Sequence, residues 1–313
     1  MKDLLSDLLR TVRVEGSTYY RAELRGAFGI GLGPSQSHAR FHLALSGAGY
    51  LALPDQPRGA HFGAGDVVLI KRGAPHVLCD RPGRPVIDLD EVKARASFQP
   101  GQVLRHGQGR PTLTVVCGEF SFAGDWIHPV LDALPSLLHA RRAPEDDAGA
   151  MQGLLALIDL ETSAAQPGWM AIVDRLSAVV FIQVLRAWLE RQPDTLGVFA
   201  AMRDPLIGRA MGALHRDPAR AWTLADLARV ARMSRTRFSA RFREVVGATP
   251  LRYLARCRIA AARELLAERE LSITQIAERV GYRRQAAFGK AFRELTGQSP
   301  GAYRAGLRPG SDP

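Results

Sequence analysis

The stretch from Thr223 to Pro300 writes one pattern twice: TLADLARVARMSRTRFSARFREVVGATP from Thr223, and SITQIAERVGYRRQAAFGKAFRELTGQSP from Ser272. Each copy opens on a hydroxyl residue suited to cap a helix. Apolar residues on one face follow: Leu224, Leu227 and Ala228, then Ile273, Ile276 and Ala277. After a turn (ARMS or VGYR) comes a second helix with phenylalanines at i and i+4, Phe238 and Phe242 or Phe288 and Phe292. Gly247 and Gly297 end these helices, with Pro250 and Pro300 shortly after. Two short helices joined by a tight turn, the second locked by an aromatic pair, make a helix-turn-helix. The front halves align 49 residues apart and the back halves 50 apart, so the second turn holds one extra residue.

Burying the phenylalanines fixes which face stays outside, because each residue turns the helical wheel by about 100°. In the first copy that face is Thr236, Ser239, Ala240 and Arg243; in the second it is Gln285, Ala286, Gly289, Lys290 and Arg293. Arg235, Arg237, Arg241, Arg283 and Arg284 flank these faces, where they can meet phosphates. The whole formal charge of +11 sits in this region: from Asp204 onward there are 21 Lys and Arg against 10 Asp and Glu, which leaves residues 1–203 neutral. A neutral body with a basic end points to a polyanion partner, since neutralising phosphates releases condensed counterions, and two helix-turn-helix units make that partner double-stranded DNA. A membrane partner would instead call for one basic amphipathic helix, and these arginines are spread over several short segments. LRYLARCRIAAARELLAE (251–268) has no helix breaker and predicts a rod of roughly 27 Å. Such a spacer suits two reading helices set about one DNA turn apart.

These residues resemble the DNA-binding domain of AraC/XylS-type transcription regulators, from DPLIGRAMGALHRDPARAWTL to GQSPGAYR, and most specifically in IAERVGY and AFGKAFRELTGQSPGAYR. The resemblance implies base reading by Thr236, Ser239 and Ala240 in the first copy and by Gln285, Ala286 and Lys290 in the second, the faces the wheel reaches by itself. It implies a non-catalytic regulator, with RNA polymerase as a further partner if it activates. Two departures stand out. Arg232 occupies the place of a usual glycine in the first turn, a strained choice if that position has positive φ. Arg283 and Arg284 replace a commoner acidic-Ser pair.

The remainder reads as a separate body. Residues 17–122 carry short β-type runs punctuated by Gly and Pro, the signature of an antiparallel sandwich or barrel. From Pro129 the apolar spacing changes to three and four, predicting helices in PVLDALPSLLHA, AMQGLLALIDLETSA and GWMAIVDRLSAVVFIQVLRAWLERQ. In the last, Ile172, Leu176, Val179, Val180, Val184, Leu185, Trp188 and Leu189 form a stripe broad enough for a homodimer seam or for packing on the chain's own barrel. The expected fold class is α+β multidomain: a cupin-like barrel (1–128), a helical linker or dimerisation segment (129–200) and an all-α double helix-turn-helix domain (204–308). Cys79, Cys117 and Cys257 lie far apart without CxxC pairing. That argues against a disulfide framework and for a reducing compartment. MKDLLSDLLRTVRV reads as an amphipathic helix rather than a signal peptide, so a cytoplasmic location is expected.

Within the N-terminal half, GDVVLIKRGAPH from Gly65 resembles the second cupin motif, with Lys71 where that motif has proline. HARFHLALSGAGYL places His38 and His42 near the histidine and acidic ligand of the first motif, so the acidic ligand is absent. The half as a whole is similar to the cupin-type sensor of one AraC-like subgroup, which implies a small-molecule effector. Residues i and i+4 of a strand share a face, so His38 and His42 can converge with His76, and Cys117 can approach from another strand. Three imidazoles, or two and a thiolate, suit Zn²⁺ or Fe²⁺. The alternatives are hydrogen-bonded barrel histidines without a metal, and a thiol poised as an oxidant sensor by nearby imidazolium. A metal-dependent cupin enzyme fused to a DNA-binding domain is the rival function.

Overall fold

The computed structural model describes residues 3–9, 12, 14–35, 38–122, 128–142, 148–191, 197–268 and 270–307. In chain order it has helix α1 (Leu4–Leu9), strands β1 (Val14–Arg25), β2 (Gly29–Leu32), β3 (His38–Leu53), β4 (Gln56–Gly63), β5 (Val67–Ile70), β6 (His76–Cys79) and β7 (Ile87–Asp88), and helix α2 (Leu89–Arg95). Strands β8 (Val103–His106) and β9 (Pro111–Phe122), helix α3 (Pro129–Asp132), strand β10 (Leu137–Ala140) and helices α4 (Ala148–Ala164) and α5 (Trp169–Arg191) follow. The chain ends in α6 (Pro205–Arg216), α7 (Leu224–Val230), α8 (Arg235–Val246), α9 (Pro250–Ala267), α10 (Ile273–Arg279), α11 (Gln285–Thr296) and α12 (Pro300–Gly306). No helix of the described residues is long and apolar enough to cross a membrane.

Val14–Ser121 and Pro135–Gln192 form one compact unit, built on a ten-stranded sheet. Its centre is β3, sixteen residues long, whose first half pairs with β5 and β9 and whose second half pairs with β4 and β6. The strand changes partners at a bulge between Ala44 and Ser46, followed by Gly47 at φ 75°, where a Cβ would lie 2.0 Å from the Thr112 carbonyl oxygen. Only glycine turns that corner. The sheet is mixed rather than purely antiparallel, because β1 runs parallel to β8 and β2 parallel to β7. Phe28, Phe62, Ile70, Leu104 and Val115 fill its core.

Two sequence expectations change in this unit. PVLDALPSLLHA is not one helix: only Pro129–Asp132 is helical, and Leu137–Ala140 is a strand paired antiparallel with β5. The apolar spacing there serves a ladder, because β5 offers an unpaired edge that a helix could not satisfy. The stripe on α5 splits. Val180, Val184 and Leu185 are buried with Val173 and Phe181, and the helix packs on β1, β5 and β10, so these residues are private core. Ile172 and Val179, seven residues apart, remain exposed at 39% and 43%, as do Leu157 and Leu160 on α4.

The second unit comprises Met1–Arg13, Phe122–Leu134 and Pro193–Pro313. The sheet unit thus takes in α4 and α5, and the helical unit takes in α1 and α3. Helix α1 packs on α6, with Asp7 paired to Arg216, while β10 and α5 hold residues 135–192 to the sheet. Both helix-turn-helix units form as spaced. Thr223 and Ser272 close reciprocal capping boxes with Asp226 and Gln275. Gly247 and Gly297 are left-handed caps at φ 80° and 81°. The turns run 231–234 and 280–284, the second longer by one residue. Arg232 does take positive φ, 55°, while Gly281 holds the matching place at 88°. A Cβ on Gly281 would meet the Ala219 carbonyl oxygen at 2.2 Å, so that turn needs its glycine. Arg232→Gly is expected to raise stability by about 0.5–1 kcal/mol, the left-handed strain relieved less the extra chain entropy. An unchanged or lower denaturant midpoint would show that the turn carries no such strain.

Candidate nucleic-acid interface and barrel histidines

Helix α8 is fixed by Phe238 and Phe242, both fully buried with ring centroids 5.6 Å apart; Phe288 and Phe292 repeat this on α11 at 5.7 Å. The opposite faces are turned outward. Thr236, Ala240 and Arg243 are exposed and Ser239 is half-buried on α8; Gln285, Ala286, Lys290 and Arg293 are exposed and Gly289 is half-buried on α11. Arg235, Arg237, Arg283 and Arg284 are exposed beside them. Arg241, also expected among the phosphate contacts, is bound by two carboxylates, Asp204 and Glu244, each at 2.9 Å. It holds α8 to the start of α6.

The two reading faces differ in chemistry. The first is short and polar. On the second, the Thr274 hydroxyl donates to Gln285 Oε1 at 2.8 Å and so orients the amide, while Lys290 lies 3.9 Å from Glu294, a loose pair at the surface. Rod α9 is tied to the segment after α6 and to the second turn by Arg258, which donates to the carbonyls of Pro218 and Arg220 and lies over the Tyr282 ring at 5.3 Å.

In the sheet unit, β3 and β9 set His42 directly opposite Cys117, and β6 begins at His76. All three are buried. The side chain of His38 lies outside the described residues. His76 Nδ1 is 2.7 Å from the Ala74 carbonyl, which can only accept, so that nitrogen carries the proton. His76 Nε2 must then accept, which requires His42 Nε2, 2.8 Å away, to donate. His42 Nδ1 in turn accepts from the Cys117 thiol at 3.0 Å. The proton order along this chain is fixed by one carbonyl.

The thiol and His76 approach opposite nitrogens of His42, so the three side chains form a hydrogen-bonded chain rather than donors converging on one point. Burial, with the neighbouring His76 and Arg40 charges, holds His42 well below the usual histidine range, and burial takes His76 to about 4. Burial pushes the Cys117 thiol up to about 12. A thiol held that high is disfavoured as the thiolate an oxidant sensor needs. His76 lines an apolar cleft of about 510 Å³ with Leu53, Pro54, Pro75 and Val86; His42 and Cys117 line a separate cavity of about 90 Å³.

A cupin family (Cupin_6) matches residues 3–190, and a helix-turn-helix domain (HTH_18) matches residues 227–306. The chain is 35% identical to a protein of Streptomyces antibioticus named as an AraC-like transcription regulator, over 85% of this chain and 86% of that one. It is 29% identical to the HTH-type transcriptional regulator AlkR of Acinetobacter baylyi, over 96% and 99%. Among solved structures, the DNA-binding domain of AdpA in complex with a target DNA matches 33% of this chain and 93% of its own, at 36% identity and a TM-score of 0.31.

Proposed function

We propose that this chain, which belongs to the family of AraC-like transcription regulators with an N-terminal cupin domain, reads a specific site on double-stranded DNA with α8 and α11 and regulates transcription there. The observation that carries this reading is the paired geometry: two helices, each locked by buried phenylalanines, each turning a polar face and flanking arginines outward. The relatives are named as regulators, which favours this over a cupin enzyme with a DNA-binding tail. RNA polymerase is a further partner if the protein activates.

Direct reading falls chiefly to α11, since Gln285 and Lys290 can make directional bonds to purine edges while the α8 face offers short side chains. Lys290→Ala is expected to cost ~1–3 kcal/mol on the specific site and little on random DNA, measured by competition binding. Equal losses on both would reduce Lys290 to a phosphate contact. A small, largely apolar effector fits the 510 Å³ cleft beside His76, a volume ordinary for ligand sites.

Homodimerisation belongs to this reading too, through the exposed residues of α4 and α5 rather than the buried stripe. Leu160→Glu with Val179→Glu is expected to give a folded monomer by sedimentation velocity, with weakened operator binding. A variant that stays dimeric would put the seam elsewhere.

A further inference from the structure

The helical unit holds a cluster of metal-ligating residues of its own. His128 caps α3, His215 lies near the end of α6, and Cys257 lies on rod α9. All three are buried, and one ligand atom from each lies within 4.8 Å of the others. Among the described residues, no other group of three His, Cys, Asp or Glu is so disposed. We propose that His128, His215 and Cys257 form a Zn²⁺ site, two imidazoles and a thiolate on one ion. Donors around a tetrahedral zinc stand about 3.5 Å apart, so small side-chain rotations bring these three together, and a water takes the fourth position.

The surroundings suit that ion. Tyr253 Oη, 2.6 Å from His215 Nε2, is the outer partner that orients one ring. Arg256, next to Cys257 in the chain, is paired with Asp132 at 2.8 Å. On binding, the Cys257 S–H bond gives way to a sulfur–zinc bond and the proton leaves to solvent. The His128 Nδ1 that now accepts the Val130 N–H at 3.3 Å loses that bond whichever ring nitrogen binds, since Nδ1 is then either ligated or protonated. An occupied site would cross-link α3, α6 and the rod that carries the second reading head.

The test uses the full-length chain, stripped with a chelator and titrated with Co²⁺ as a spectroscopic stand-in for Zn²⁺. A thiolate-to-cobalt charge-transfer band is expected to saturate at one equivalent and to vanish on adding Zn²⁺. The chain has three cysteines, so Cys79→Ser with Cys117→Ser leaves Cys257 as its sole thiol without touching the helical unit. The band should persist there and in His42→Gln, and disappear in Cys257→Ser and His128→Gln. No band in the unaltered chain, loss of the band in the Cys79/Cys117 double variant, or its survival in Cys257→Ser would each overturn the assignment. If Cys257→Ser fails to fold, the double variant alone decides.

Discussion

Raising salt from about 50 to about 200 mM is expected to weaken binding to the specific site about a thousandfold for each DNA-binding domain. The magnitude follows from which cations are available. Arg235, Arg237, Arg243, Arg283, Arg284 and Arg293 are exposed on or beside the reading helices. Arg241 is bound by Asp204 and Glu244, Arg256 by Asp132, and Arg258 by backbone carbonyls, so these hold the domain together rather than meet phosphates. Six phosphate contacts at ~0.9 counterion each give a slope near −5 in log affinity against log salt. Fluorescence anisotropy on the specific site and on a scrambled duplex would measure it. A flat response would remove phosphate contact as the main source of affinity. A slope twice as steep would mean that two domains bind together, as a dimer requires.

Where the sequence was informative, the information was local. A capping hydroxyl, a left-handed glycine and phenylalanines four residues apart act within one or two turns, so the helix-turn-helix units and both outward faces could be read before any fold was known. The strain at Arg232 was flagged only conditionally, from the glycine usual at that place in the family the chain resembles, and the positive φ came with the structure. Pairings between distant segments were not. Leu137–Ala140 carries apolar spacing compatible with a helix and becomes a strand because β5 needs a neighbour. Val180 and Val184 look like a seam until β1, β5 and β10 are seen beneath α5. The parallel pairings β1/β8 and β2/β7 leave no mark in strand alternation. The barrel histidines were found in sequence, but their role turns on the Ala74 carbonyl, which fixes the proton order and has no side-chain signature. His128 gave no signal at all. A lone histidine among apolar residues becomes interesting only when the fold sets His215 and Cys257 beside it.

Replacing Phe288 with alanine is expected to cost ~3–5 kcal/mol of stability, enough to unfold a marginal half-domain and abolish DNA binding through loss of structure. The ring is fully buried between Tyr282, at 5.6 Å, and Phe292, at 5.7 Å, in a cluster with Ile259, Leu266, Ile276 and Val280. That cluster is small and is assembled mainly from α9, α10 and α11, with Tyr282 and Tyr303 at its edge, so the void left by the ring is costly to fill. Phe238 makes the same contribution in the first copy, against Phe242. Calorimetry and circular dichroism on Phe288→Ala should show lost helix or an early transition, with the sheet unit's transition retained. Phe288→Leu, which leaves a smaller void, should restore much of both the helix and the binding. The contrary outcome is a Phe288→Ala chain that melts cooperatively at the original temperature and binds random DNA normally while ignoring its specific site. That would make Phe288 a reader of bases, and α11 would then have to present a different face to the groove from the one its buried phenylalanines dictate.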